Sequence, residues 1–135
     1  MSDRLGYLLG RAHIAHRQVA ETALAPLGLI PRQFGALSLL ADEGPLSQQR
    51  LGERMGVDRT TMVALIDGLE RGGLVERERD PGDRRSYALR ATPQGRRVLA
   101  RAAAAVERAE AEFLAPLPAE EARQLKRILR KLILP

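Results

Sequence analysis

Apolar residues recur at helical spacing at Leu5, Leu9, Ala12, Val19 and Ala23, which predicts a long amphipathic helix over residues about 4 to 25. Pro26 and Gly28 stop it. A second helix is expected to open at Pro31, a residue favoured in the first helical turn, and to carry Phe34, Leu37, Leu40 and Ala41 on one face before Gly44-Pro45 ends it. Ser47 is a suitable N-cap for a short helix holding Leu51 and Met55 and broken at Gly56. Asp58 then caps a further helix in which Met62, Leu65, Ile66 and Leu69 follow i, i+3, i+4, i+7 spacing, with Gly72-Gly73 as its stop. From Leu74 the helical period disappears. Asp80-Pro81-Gly82-Asp83 is a turn, since proline fixes φ and glycine tolerates a positive one, so the flanking runs 74–79 and 85–91 are expected to be the arms of a β-hairpin. Thr92-Pro93 restarts a helix with a seam of Leu99, Ala102, Val106, Ala109 and Phe113. A last helix beyond Pro116 and Pro118 aligns Leu125, Leu129 and Leu132, with Ile128 beside them.

Two helices joined by a short glycine-containing turn and followed at once by a hairpin form a winged helix-turn-helix, so the fold class expected is mainly α with a small β-hairpin wing. On a helical wheel Leu65, Ile66 and Leu69 lie within about 60° of Met62, which leaves Thr60, Ala64, Asp67 and Arg71 on the opposite side and Thr61, Val63 and Gly68 on the flanks. That outward face is small and hydroxylated, suited to a major groove. Thr60 and Thr61 offer hydroxyls to base edges or phosphates, Val63 and Ala64 suit a thymine methyl, and Arg59 stands by the helix N-terminus for a phosphate. Ser47 joins this set at the start of the preceding helix. Asp67 would repel phosphate, which assigns base reading to the helix's N-terminal half. At the hairpin tip Arg84 or Arg85 suits a narrow minor groove, with Asp83 bracing an arginine by a charge-assisted bond.

Composition narrows the choice. The chain of 135 residues has room for one core, 44% of it is hydrophobic and only 3% aromatic, which favours helices packed through aliphatic side chains. With no cysteine, thiolate metal sites, cysteine nucleophiles and thiol redox sensing are excluded. There is no nucleophile motif or phosphate loop, and His13 and His16 alone do not make a zinc site, so neither an enzyme, a cofactor nor a metal is expected. No apolar run suits a membrane span, and the N-terminus leads into an amphipathic pattern, so a cytoplasmic protein without a membrane partner is expected. The net charge is +5, and over residues 50 to 97 eleven arginines face eight acids, a balance of +3 that favours discrete contacts over indiscriminate coating of a polyanion.

The stretch Leu69-Glu70-Arg71-Gly72-Gly73-Leu74-Val75, then Asp80-Pro81-Gly82-Asp83-Arg84-Arg85-Ser86, with Leu89, Thr92 and Gly95, closely resembles the wing signature of the MarR family of transcription regulators, and the order of elements along the whole chain is similar to that family. The resemblance implies a homodimer in which N- and C-terminal helices interlock (about 1–30 and 96–135), presenting two winged regions (about 31–95) to a pseudopalindromic operator in double-stranded DNA. It implies that Asp83 and Arg85 are the wing's aspartate-x-arginine pair, with Arg85 in the minor groove. It also implies a small aromatic or anionic effector in a cleft beside the dimer helices, for which Tyr7, His13, His16, Arg17 and Phe34 are the candidates. His16 lies within the apolar face of its helix, where a hydrogen-bonded core role competes with a ligand role. The chain departs from the family at Val63-Ala64, where many members carry Thr-Arg, and at Ala91, where a larger aliphatic residue is usual. From the residues themselves, the apolar stripes of both terminal helices exceed what one small winged region covers, which also points to a homodimer. A ligand-responsive repressor is therefore expected. An architectural DNA-binding protein without a sensor is the alternative, and a winged domain used only for protein contacts is a third possibility.

Overall fold

A computed structural model describes residues 2–80 and 82–134, apart from the side chains of Asp80, Asp83, Arg84, Arg85 and Ser86. The chain runs α1 (Leu5–Leu24), a short 3-10 turn (Ala25–Leu27), α2 (Pro31–Glu43), β1 (Leu46–Ser47), α3 (Gln48–Met55), α4 (Arg59–Arg71), β2 (Val75–Asp80), β3 (Asp83–Ala91), α5 (Pro93–Phe113) and α6 (Ala119–Ile133). The expected winged helix-turn-helix is present, and each expected helix falls within a residue or two of its sequence signals. The strands are antiparallel in the order β1-β3-β2. Register runs from Val75 opposite Ala91 to Arg79 opposite Tyr87, with an irregularity before Asp80. The arms of the hairpin thus include Asp80 and begin again at Asp83, two residues earlier than the turn residues suggest, because backbone pairing continues up to the turn.

One element is new. Leu46 and Ser47 pair with Leu89 and Ala88, so the segment that caps α3 is also an edge of the wing's sheet. The start of the helix-turn-helix is thereby tied to the wing by backbone hydrogen bonds.

The core is aliphatic. Leu24, Leu37, Leu40, Leu51, Met62, Ile66, Leu69 and Leu89 are fully buried, and Ala102 and Val106 of α5 close the cluster against α2. Burying a leucine-sized side chain stabilises by roughly 1.5–3 kcal/mol, so this set provides most of the driving force for the winged region. Ala91 is buried beside Val75, at the base of the wing.

The terminal helices differ. α1 packs along α5, where His16 Nε2 and Glu110 Oε2 lie 2.5 Å apart and the His16 ring meets Phe113 edge-on at 5.8 Å. Yet Leu5 (65% exposed), Leu8, Leu9 and Ile14 face outward, and α6 buries none of its residues, with Leu132 at 67% and Ile133 at 73%. No single helix among the described residues is long and apolar enough to cross a membrane.

Candidate nucleic-acid interface

The turn between α3 and α4 needs Gly56, whose φ of +66° is in the left-handed region that side chains avoid. Past it, Asp58 caps α4: its Oδ1 accepts from the Thr61 backbone N–H at 2.8 Å and its Oδ2 from the Thr61 hydroxyl at 2.7 Å. These bonds hold the Asp58 carboxyl below the usual carboxylate range, chiefly through the Thr61 backbone N–H and then its hydroxyl. A carboxyl depressed in the folded state contributes its full cap above about pH 4 and loses it as pH falls through the folded value. The expected outcome is an Asp58 resonance titrating below that of an exposed aspartate in an NMR pH series, with the Thr61 amide shifting in step. Asp58→Ala removes that step.

With the cap in place, α4 presents the surface its apolar period requires. Met62, Leu65, Ile66 and Leu69 are buried, while Arg59, Thr60, Val63, Ala64 and Asp67 are exposed, Val63 at 43%. Thr61 is half-buried, and its hydroxyl proton is committed to Asp58, so only its lone pairs remain for a nucleic acid. Thr60 has no such commitment among the hydrogen bonds of the described residues. Ser47 caps α3, its Oγ accepting from the Arg50 N–H at 3.1 Å. An open cleft of about 650 Å³ runs between α3 and the start of α4, lined by Gln48, Gln49, Gly52, Glu53, Gly56, Val57, Arg59 and Met62. Arg59 sits at its edge, at the positive end of α4.

The wing's inner and outer faces follow from strand alternation. Outward, Arg90 Nη2 donates to Glu76 at 2.6 Å with Glu78 at 3.8 Å. Inward, Arg77 Nε donates to Glu70 of α4 at 2.8 Å, with Asp67 at 3.8 Å, and the Arg79 guanidinium lies 5.5 Å from the centre of the Tyr87 ring. Asp67, read in the sequence as a liability toward phosphate, thus has a counter-ion in the wing. Sequence reasoning missed Glu70 and Arg77, since nothing in a local pattern signals a pair seven residues apart across a turn. The side chains of Asp83, Arg84 and Arg85, and Pro81 altogether, lie outside the described residues, so their expected roles at the tip have no geometry here.

The five effector candidates have separate surroundings within the chain. Tyr7 and His13 are exposed, His16 is engaged with Glu110 and Phe113, Arg17 bonds Glu21 at 2.8 Å, and Phe34 packs against the core. A groove of about 740 Å³ between α1 and α5 is lined by Val19, Ala23, Ala105, Ala109 and Phe113 among others, and by none of the five. The cleft between α3 and α4 contains none of them either. Among the described residues no group of three or more His, Cys, Asp or Glu is placed to hold a metal ion.

A capped helix with its apolar side buried and its short polar side free, beside a three-stranded wing, defines a DNA-binding protein of the winged helix-turn-helix class. Residues 27–86 match the model of the MarR family. Over 128 residues, 95% of this chain and 92% of the relative, it is 37% identical to an HTH-type transcriptional repressor of Mycobacterium tuberculosis. A MarR-family regulator from Rhodococcus sp. RHA1 superposes with a TM-score of 0.93 at 32% identity, covering 100% of this chain and 96% of that one. The repressor CouR bound to a 23-mer DNA duplex gives a TM-score of 0.90 at 36% identity over 97% of this chain and 93% of that one. CouR from Rhodococcus jostii RHA1 bound to p-coumaroyl-CoA gives 0.86 at 33% identity over 99% and 94%. The chain belongs to the MarR family of transcription regulators. It is a DNA-binding regulator and not an enzyme.

Proposed function

We propose that the chain acts in the cytoplasm as a homodimeric, ligand-responsive repressor that binds a pseudopalindromic operator, α4 entering the major groove and the wing the adjacent minor groove. The observation that carries this reading is the exposed Thr60, Val63 and Ala64 face of a capped helix whose opposite side is wholly buried. Residues 31–95 form the reading head, with Ser47, Arg59, Thr60 and the Thr61 lone pairs facing DNA. Residues 1–30 and 96–135 provide dimerisation, supported by the exposed apolar residues of α1 and α6. The DNA-bound and p-coumaroyl-CoA-bound forms of CouR support both DNA recognition and an effector with an aromatic or anionic group. Tyr7, His13, His16, Arg17 and Phe34 are proposed to line that effector's site once a second protomer lies against α1.

Selection of bound duplexes from a random pool tests the reading. A regulator yields a two-fold-symmetric consensus preferred over random DNA by ~10³ or more. A pool without consensus supports the architectural alternative instead. On the selected duplex, Arg85→Ala is expected to weaken binding by roughly 5- to 150-fold and to lower the salt slope by about one, as loss of a single groove contact requires. An unchanged affinity and slope in a salt titration removes Arg85 from the interface.

A further inference from the structure

We infer that Arg77 is a positioning residue for DNA binding: clamped by Glu70 and Asp67 of the recognition helix, it sets the tilt of the wing against α4. The inference rests on the two-groove reading above and concerns how its two parts are held in register.

The wing is anchored on its β3 side by the pairing of β1 with Leu89 and Ala88 and, for both strands, at its base. There Thr92 N–H donates to the Leu74 carbonyl at 3.0 Å, the Thr92 hydroxyl donates to the Gly73 carbonyl at 2.6 Å, and Val75, Leu89 and Ala91 join the core. From Leu74 to Asp80 the strand spans about 20 Å at ~3.3 Å per residue, so a tilt of about 5° at the base moves the tip by almost 2 Å. That is enough to separate a hydrogen-bonding side chain from its target.

Beyond the base, the side-chain ion pairs between β2 and α4 among the described residues are those of Arg77. Its Nε donates to Glu70 at 2.8 Å, and its Nη2 lies 3.8 Å from Asp67. Asp67 and Glu70 are three residues apart on α4, so they lie on neighbouring points of one helical face. A planar guanidinium held at both points resists rotation as well as separation, which a lysine ammonium would not. Arg77 and Asp67 are exposed and Glu70 is half-buried, a surface setting where ion pairs contribute little to folding stability. The strut therefore matters for geometry: its loss should leave the fold intact and mislay the wing. The same two carboxylates leave Arg77 poorly suited to bind phosphate itself, and this gives the test opposite signs for the two roles.

The experiment uses full-length protein and the duplex selected above, with affinity and hydroxyl-radical protection of the DNA as readouts and thermal unfolding as control. Glu70→Gln and Arg77→Gln are each expected to weaken binding about tenfold, to lose protection in the outer minor grooves while keeping it at the central major-groove contacts, and to leave unfolding unchanged. The charge-swapped pair Glu70→Arg with Arg77→Glu is expected to regain most of the affinity and the outer protection, as a coupled pair should. Tighter binding by Glu70→Gln would show an arginine released to touch phosphate and would overturn the inference. So would a swapped pair no better than Arg77→Gln, or variants whose protection pattern matches wild type. Absence of any footprint with wild-type protein would instead strike the DNA-binding reading.

Discussion

Removal of residues 118–135 is expected to leave a folded winged region that sediments as a monomer and binds the operator far more weakly. α6 hides none of its residues within the chain, so its deletion opens no cavity in the core formed by Leu37, Leu40, Ile66 and Leu69. What it does remove is a stripe of Leu125, Ile128, Leu129, Leu132 and Ile133 facing solvent on one helix. Exposed leucines and isoleucines lined up in this way are normally covered by a partner, and a two-fold partner covers the same stripe twice. Two heads on one body bind two half-sites with a high effective concentration for the second event, so separating them should lower operator affinity by about 10²- to 10⁴-fold. Helical circular dichroism should fall only by the share of α6, and single half-sites should still be bound. A truncated protein that remains dimeric in sedimentation would show that α1 alone holds the two copies.

The helix-turn-helix was legible because its signals are local. Asp58, three residues before Thr61 and four before Met62, announces both the cap and the start of the apolar period, and the buried side of α4 consists of the residues that period selects. Pro81-Gly82 between two non-helical runs likewise announced a hairpin. β1 could not be read: two residues, Leu46 and Ser47, carry no periodicity, and their strand character comes from pairing with residues more than forty positions later.

The electrostatics of the site were the least legible part. Asp67 looks unfavourable beside DNA until Arg77 is seen reaching it from the wing, and the contact of His16 with Glu110, 94 residues on, has no local signal. Both are properties of the packed chain, since α4 meets β2 only after the Gly72-Gly73 turn folds back, and α1 meets α5 only after the whole winged region lies between them. The scatter of Tyr7, His13, His16, Arg17 and Phe34 has the same origin. Residue types suited to a ligand mark candidates one by one, and only tertiary or quaternary packing makes a cavity of them.

Gly95→Ala is expected to be the most damaging single substitution outside the aliphatic core. A β-carbon at Gly95 would lie 2.1 Å from the carbonyl oxygen of Leu74 and 3.0 Å from its carbonyl carbon. The obstacle is backbone, so no rotamer change relieves it, and α5 and β2 must move apart. That movement acts on the wing's base, where the Thr92 N–H and hydroxyl hold the Leu74 and Gly73 carbonyls while the Thr92 oxygen also caps α5 through the Gly95 N–H at 2.9 Å. Overpacking of this kind costs about 1–3 kcal/mol, a large fraction of a typical domain's total stability. The upper end is expected here, visible as a fall in Tm of about 10 °C in thermal denaturation. Operator binding at a temperature where the variant is still folded should fall as well, because the hairpin's seat is displaced. Thr92→Ala is the matched control: it removes the cap and the tie without creating overlap, and should cost about 1 kcal/mol. If Thr92→Ala proves the more harmful of the two, the close approach at Gly95 is not what fixes the wing to α5.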